Sequence, residues 1–185
     1  MRRLALILLI ACGSIAAADK ETCEAMPNPP KLPVTRPSGR MYAGGSLKVL
    51  LLAGVADTWK STRREVTSVP AGTTVEVLED LIVVEAPDIL WVSNTIGGMN
   101  VKAGDTILRY ARLGEGSADL WTDGCWYKDA DGGFITEPDG GGCGGSSCSA
   151  KVTKMGRQIW WFRVRLPSGR TGWMLSQSLD LSAGG

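Results

Sequence analysis

Hydrophobic and polar positions alternate most clearly at Ile159-Trp-Trp-Phe-Arg-Val-Arg-Leu166, where Trp160, Phe162, Val164 and Leu166 point one way and Trp161, Arg163 and Arg165 the other. That period of two predicts a half-buried strand. Pro167-Ser168-Gly169 supplies a turn, and Arg170-Thr-Gly-Trp-Met-Leu175 reads as the returning strand of a hairpin. Upstream, Leu47 to Leu52 is an apolar run broken only by Lys48, Thr74 to Leu78 alternates, and Leu81–Val84 and Ile89–Val92 read as two further short strands. Few stretches invite helix. Asp57 to Glu65 has room for a turn or two but carries no stripe at helical spacing. The pattern therefore predicts an all-β protein built around a small barrel.

The amino terminus starts with Arg2-Arg3, continues through the apolar run Leu4–Ile10, and ends in Ala16-Ala17-Ala18 before Asp19. This is the layout of a secretory signal peptide over residues 1–18. The apolar run falls far short of the roughly 20 residues that span a bilayer, so no transmembrane segment is expected. Leu9-Ile10-Ala11-Cys12 also fits the approach to a lipidated cysteine, which makes a lipid anchor at Cys12 the alternative to cleavage at the Ala-x-Ala site. Five prolines between Met26 and Gly39 fix φ and withhold N–H groups, so residues 19–40 read as an extended linker.

The chain has 20 basic and 19 acidic residues and no histidine. Losing residues 1–18 removes two arginines and no acids, which leaves the rest near neutrality. No basic stripe marks a nucleic-acid partner. Without histidine, Ser-His-Asp and Cys-His nucleophiles are excluded. No Ser-x-x-Lys occurs for penicillin-binding-type acylation. Carboxylate pairs remain: Glu115 with Asp119, or Asp123 with Glu137, would suit a hydrolase flanking a glycosidic bond, although acids in Gly-rich loops usually serve as turn residues.

Cys23, Cys125, Cys143 and Cys148 remain after export, an even number that points to two disulfides in an oxidising compartment. Cys143 is expected to pair with Cys125 or Cys148, because a Gly-rich segment gains most from a covalent tie; the partner of Cys23 stays open. Zinc is disfavoured by the lack of Cys-x-x-Cys and of histidine. Asp129-Ala-Asp131-Gly132 imitates the start of a calcium loop, but the twelfth position is Gly140 rather than an acid. A simple turn is the expectation there, with no metal and no cofactor.

Gly132 to Gly145 contains seven glycines, predicting a disulfide-stapled loop or a flap that contributes nothing to a core. Val69-Pro-Ala-Gly-Thr-Thr74 and Val101-Lys-Ala-Gly-Asp-Thr106 share a Val-x-Ala-Gly-x-Thr pattern, which hints at two tandem units; the alternative is one barrel that opens near residues 47–79.

Trp161-x-x-Val164 with Pro-Ser-Gly-Arg-Thr-Gly-Trp173 resembles the C-terminal hairpin of bacterial SH3-like (SH3b) domains. Val101–Tyr110 is similar to the opening strand of such domains, and Gly114–Trp121 with Gly124-Cys-Trp-Tyr127 resembles the middle strands of a periplasmic subgroup. The resemblance runs from Gly98 to Asp180. It implies an SH3-like domain over 98–180, with residues 128–157 as an insertion, behind an N-terminal β unit that the strand pattern itself suggests over 41–97. It also implies a non-catalytic module, periplasmic or at the cell surface, that contacts peptidoglycan or another envelope protein.

Tryptophan suits shallow recognition, and seven occur here against two phenylalanines. Tyr110, Trp121, Trp126, Tyr127 and Trp160, with Arg163 to meet a ligand carboxylate, are the expected groove; Trp161 and Trp173 are expected to be structural. The competing readings are an inhibitor or immunity-type protein whose stapled loop enters a partner's cleft, and a carboxylate-based hydrolase.

Overall fold

A computed structural model describes residues 22–37, 46–48, 55–56, 65–67, 73–113, 116–144 and 148–176. The signal peptide with Cys12, residues 57–64 and the first Val-x-Ala-Gly copy up to residue 72 lie outside the described residues. Within them the chain is all-β. In chain order the strands are β1 (Glu24–Ala25), β2 (Val34–Arg36), β3 (Ser46–Lys48), β4 (Val55–Ala56), β5 (Glu65–Thr67), β6 (Thr74–Ala86), β7 (Asp88–Val92), β8 (Thr106–Arg112), β9 (Ser117–Thr122), β10 (Cys125–Asp131), β11 (Ile135–Thr136), β12 (Ala150–Lys154), β13 (Arg157–Arg165) and β14 (Thr171–Leu175).

They form two sheets. The first runs β1-β10-β9-β8-β7-β12-β11, and the second runs β2-β6-β13-β14-β4-β5 with β3 also on β6. In the first sheet β10 and β11 lie towards opposite edges, yet only residues 132–134 connect them. The four Cα–Cα steps from Asp131 to Ile135 reach at most ~14 Å. The sheet must therefore curl until its edges approach, and residues from both ends, Tyr127 and Ala130 on one side and Ile135 and Ala150 on the other, share one core with Leu90, Ile107 and Leu120. The Gly-rich segment was expected to stay out of any core. Ile135, 2% exposed, instead anchors it inside the curled sheet, because one aliphatic side chain among glycines suffices to bury a turn.

The two sheets are joined by a bent ribbon. β6 pairs with β13 along its length, and β7 pairs with β12, so the chain passes from one sheet to the other at Pro87 on one strand and at Met155-Gly156 on the other. The bend brings backbones together: a Cβ on Gly156 would lie 2.2 Å from the Ala86 carbonyl oxygen. Proline, which lacks an N–H, is suited to the same corner. The two short strands expected at 81–84 and 74–78 are one strand here, since their buried positions Val75, Val77, Ile82 and Val84 all serve a single extended ladder.

The C-terminal hairpin forms as the alternation predicts, with Arg165 opposite Thr171 and Trp161 opposite Leu175. Gly169, at φ 80°, closes the turn by donating to the Leu166 carbonyl. Phe162, Val164 and Leu166 are buried, while Arg163 and Arg165 face solvent. Both sheets take strands from each side of residue 97, and β7 and β8, which flank that position, are hydrogen-bonded neighbours.

Residues 22–37 form a strap across both sheets. β1 adds to β10 in the first, β2 adds to β6 in the second, and the Cys23–Cys125 disulfide fastens its start. The other disulfide is Cys143–Cys148, the short staple within the Gly-rich loop. Two disulfides suit an oxidising, exported environment. Among the described residues no helix is long and apolar enough to cross a membrane.

Candidate functional site

Four of the expected site residues meet in space. Tyr110 and Trp126 are buried and stack edge to face with ring centroids 5.1 Å apart, and Trp121 and Trp160 pack against the same cluster with Ile82 and Val84. A different part of the molecule fills the space above them. Met26 and Val34 of the strap cover the cluster, the Trp121 indole donates to the Met26 carbonyl at 2.9 Å, and the Tyr110 hydroxyl donates to the Pro30 carbonyl. Burial raises the Tyr110 pKa. The proline-rich segment read as a linker is thus the lid of the aromatic cluster, because its prolines keep it extended while its carbonyls remain free to accept.

The other two expected residues lie apart. Tyr127 is buried in the curled sheet and donates to the Met99 carbonyl at 2.7 Å. Arg163 faces solvent, where it pairs with Glu79 at 3.1 Å directly across β13 and β6; Arg165 and Glu76 form the next rung at 2.7 Å.

An open cleft of about 340 Å³ adjoins the covered cluster, and Trp160 belongs to both. Arg157, Gln158, Trp161 and Ser176 line it with Glu85, which pairs with Arg157 at 2.9 Å. That ion pair is exposed on both sides. Such pairs contribute roughly 0–1 kcal/mol, so Glu85 holds the Arg157 guanidinium only weakly.

Of the acids weighed for catalysis, Asp119 and Glu137 have structural partners. Asp119, 1% exposed, accepts from the Asp129 backbone N–H inside a bulge of β10 and pairs with Arg36 of the strap at 3.0 Å. Burial pushes the Asp119 carboxyl up, against the lowering effects of that hydrogen bond and of Arg36. Asp129 sits at φ 51° in the bulge and clamps the same arginine at 2.6 Å, so it belongs to a strand irregularity rather than to the turn expected at Asp129–Gly132. Asp123, at φ 43°, and Gly124, at φ 77°, make the tight β9–β10 turn, in which both central residues need positive φ. Glu115 lies outside the described residues. Among the described residues no group of acids and cysteines is placed to hold a metal ion.

A buried network escaped the sequence reading. Asp88, at the ribbon bend, accepts from the Gly156 N–H at 2.6 Å and from Arg109 Nε at 2.7 Å. Both Nη atoms of Arg109 then bind the two carboxylate oxygens of Glu137 on the Gly-rich loop. Burial opposes the Arg109 charge, but the Glu137 hydrogen bond and the nearby Asp88 outweigh it and the pKa is raised. Arg109 holds Glu137 on the acidic side of its ordinary value, with burial opposing. The signal available in sequence was Arg109 in the midst of Ile107-Leu-Arg-Tyr-Ala111: a charge flanked by apolar residues on a strand demands a partner.

Neither protein-family models, nor curated proteins, nor solved structures give a match to this chain.

Proposed function

We propose that this protein is a non-catalytic binding module of the bacterial envelope that recognises cell-wall peptide or an envelope protein, as the resemblance of its C-terminal hairpin to SH3b domains implies. The observation that supports the reading is the open cleft in which Trp160, Arg157 and Ser176 stand together beside a buried Trp161 floor. An indole gives a rigid apolar contact at small entropic cost, and a guanidinium in a weak exposed pair is ready to bind carboxylate. Two disulfides and the signal-peptide pattern support an exported setting.

Purified protein with intact disulfides should co-sediment with peptidoglycan sacculi. Trp160→Ala combined with Arg157→Ala should reduce the pelleted fraction at least threefold while the thermal transition is retained. Trp126 is a poor probe, since its ring is buried against Tyr110 and truncation would disturb the core. Absence of pelleting by the native protein, together with failure to capture any envelope protein, would overturn the proposal.

A further inference from the structure

A second cleft, of about 270 Å³, opens beside the buried network, lined by Arg109, Arg112 and Glu137 and by apolar Leu113, Ala118 and Ile135. The two arginines differ. Arg109 spends Nε on Asp88 and both Nη atoms on Glu137. Arg112 reaches Asp88 only through Nε, at 3.7 Å, and its side chain is 39% exposed. Among the described residues its Nη atoms have no partner within hydrogen-bond distance. Its backbone is nevertheless held on both sides by one side chain: the Arg112 N–H donates to Gln158 Oε1 at 2.9 Å, and Gln158 Nε2 donates to the Arg112 carbonyl at 3.2 Å. A fixed backbone and a buried acid on the Nε edge leave a guanidinium fork at the rim of a cleft whose other walls include the bare backbone of Gly132 and Gly133.

We propose that this cleft is a carboxylate site that takes the free C-terminus of a short peptide with small aliphatic side chains, the carboxylate on the Nη fork of Arg112. The planar fork matches a carboxylate in two parallel hydrogen bonds, which an ammonium does not reproduce. Leu113, Ala118 and Ile135 offer methyl-sized contacts, and the volume lies just below the roughly 300–1,000 Å³ of ordinary ligand pockets, which restricts the occupant to about one or two residues. Asp88 and Glu137 already balance the two arginines, so a further carboxylate gains hydrogen bonds rather than a net opposing charge. Affinity is accordingly weak, with Kd on the order of 1 mM. The site is distinct from the cleft at Trp160 and does not rest on the function proposed above.

The test is an NMR titration of the full chain, disulfides intact, with N-acetyl-alanyl-alanine and separately with its C-terminal amide. The free acid should shift the Arg112 side-chain Nε–H and the Gly132 and Gly133 amides in a saturable way, and the amide should bind roughly tenfold more weakly, the size of a lost charged hydrogen-bond pair. Arg112→Gln should abolish saturation below about 20 mM ligand, and Arg112→Lys should restore only part of the affinity, since it keeps the charge and loses the fork. A native-like amide spectrum for both variants shows that the fold survives. Equal binding of acid and amide, saturable shifts confined to residues away from this cleft, unchanged binding by Arg112→Gln, or no shift with the native chain would each overturn the proposal. Trp160→Ala should leave the titration unchanged, which separates this site from the sacculus-binding cleft.

Discussion

Two sets of ion pairs on this scaffold use the same chemistry in opposite surroundings. Arg163–Glu79 and Arg165–Glu76 form rungs across β13 and β6, with every side chain near half exposed. Asp88–Arg109–Glu137 joins the ribbon bend to the Gly-rich loop, with Asp88 and Arg109 nearly sealed from water. Water screens the first set and refills any gap left by a lost partner. In the second set a lost Arg109 leaves the buried Asp88 carboxylate with only the Gly156 N–H and the more distant Arg112 Nε, at 3.7 Å, and no water to make up the difference. Ion-pair geometry alone therefore ranks nothing; the surroundings decide which pairs organise the fold.

Arg109→Ala is the strongest way to break this contrast. It takes away the closest cation of the Asp88 carboxylate and both guanidinium contacts of Glu137, and a loss of about 3–5 kcal/mol is expected in urea unfolding. A loss below about 1 kcal/mol would place the network with the exposed rungs. Glu137→Gln keeps the shape and one acceptor but removes the charge, for an expected loss of about 1–2 kcal/mol near pH 7.

The pH dependence sharpens the comparison. Glu137 has a folded pKa below its unfolded one, through Arg109 first. Its contribution is therefore complete above the unfolded value of about 4.3 and drains as pH falls through the lower folded value. Asp119 acts in the opposite sense, because burial raises its pKa and its ionisation subtracts stability as pH rises. Subtracting the Glu137→Gln profile from the native one isolates Glu137: the gap in urea midpoints should be constant above the unfolded carboxylate value and should narrow as pH falls below it. A gap that persists at low pH would contradict the ion-pair origin.

The smallest effect belongs to the exposed rungs. Arg163→Ala should cost under about 1 kcal/mol, and a double-mutant cycle with Glu79→Ala should give a coupling of about 0.2–1 kcal/mol that fades in 1 M salt. A coupling comparable to that of Arg109 would erase the distinction.

Much of the architecture was legible because strand signals are local. The alternation at Trp160–Leu166 and the Pro-Ser-Gly turn specify a hairpin without reference to anything distant. The site was less legible. Tyr110, Trp121, Trp126 and Trp160 do gather, but nothing in their spacing reveals that Met26 to Val34, far upstream with Pro30 80 residues before Tyr110 and Met26 95 before Trp121, will cover them. Asp88 and Glu137 flank Arg109 at 21 and 28 residues' separation, and no local pattern joins them.

By itself the sequence determined the strand-forming class, the export pattern, the even cysteine count and the aromatic hairpin, since each follows from composition or from contacts a few residues apart. Tertiary structure alone decided that Cys23 meets Cys125, that the proline-rich strap lies over the aromatic cluster, and that Ile135 draws a glycine-rich segment into a core. The physical reason is that these pairings are set by how a curled sheet brings remote backbones together, and an isolated side chain carries no record of which distant strand will become its neighbour.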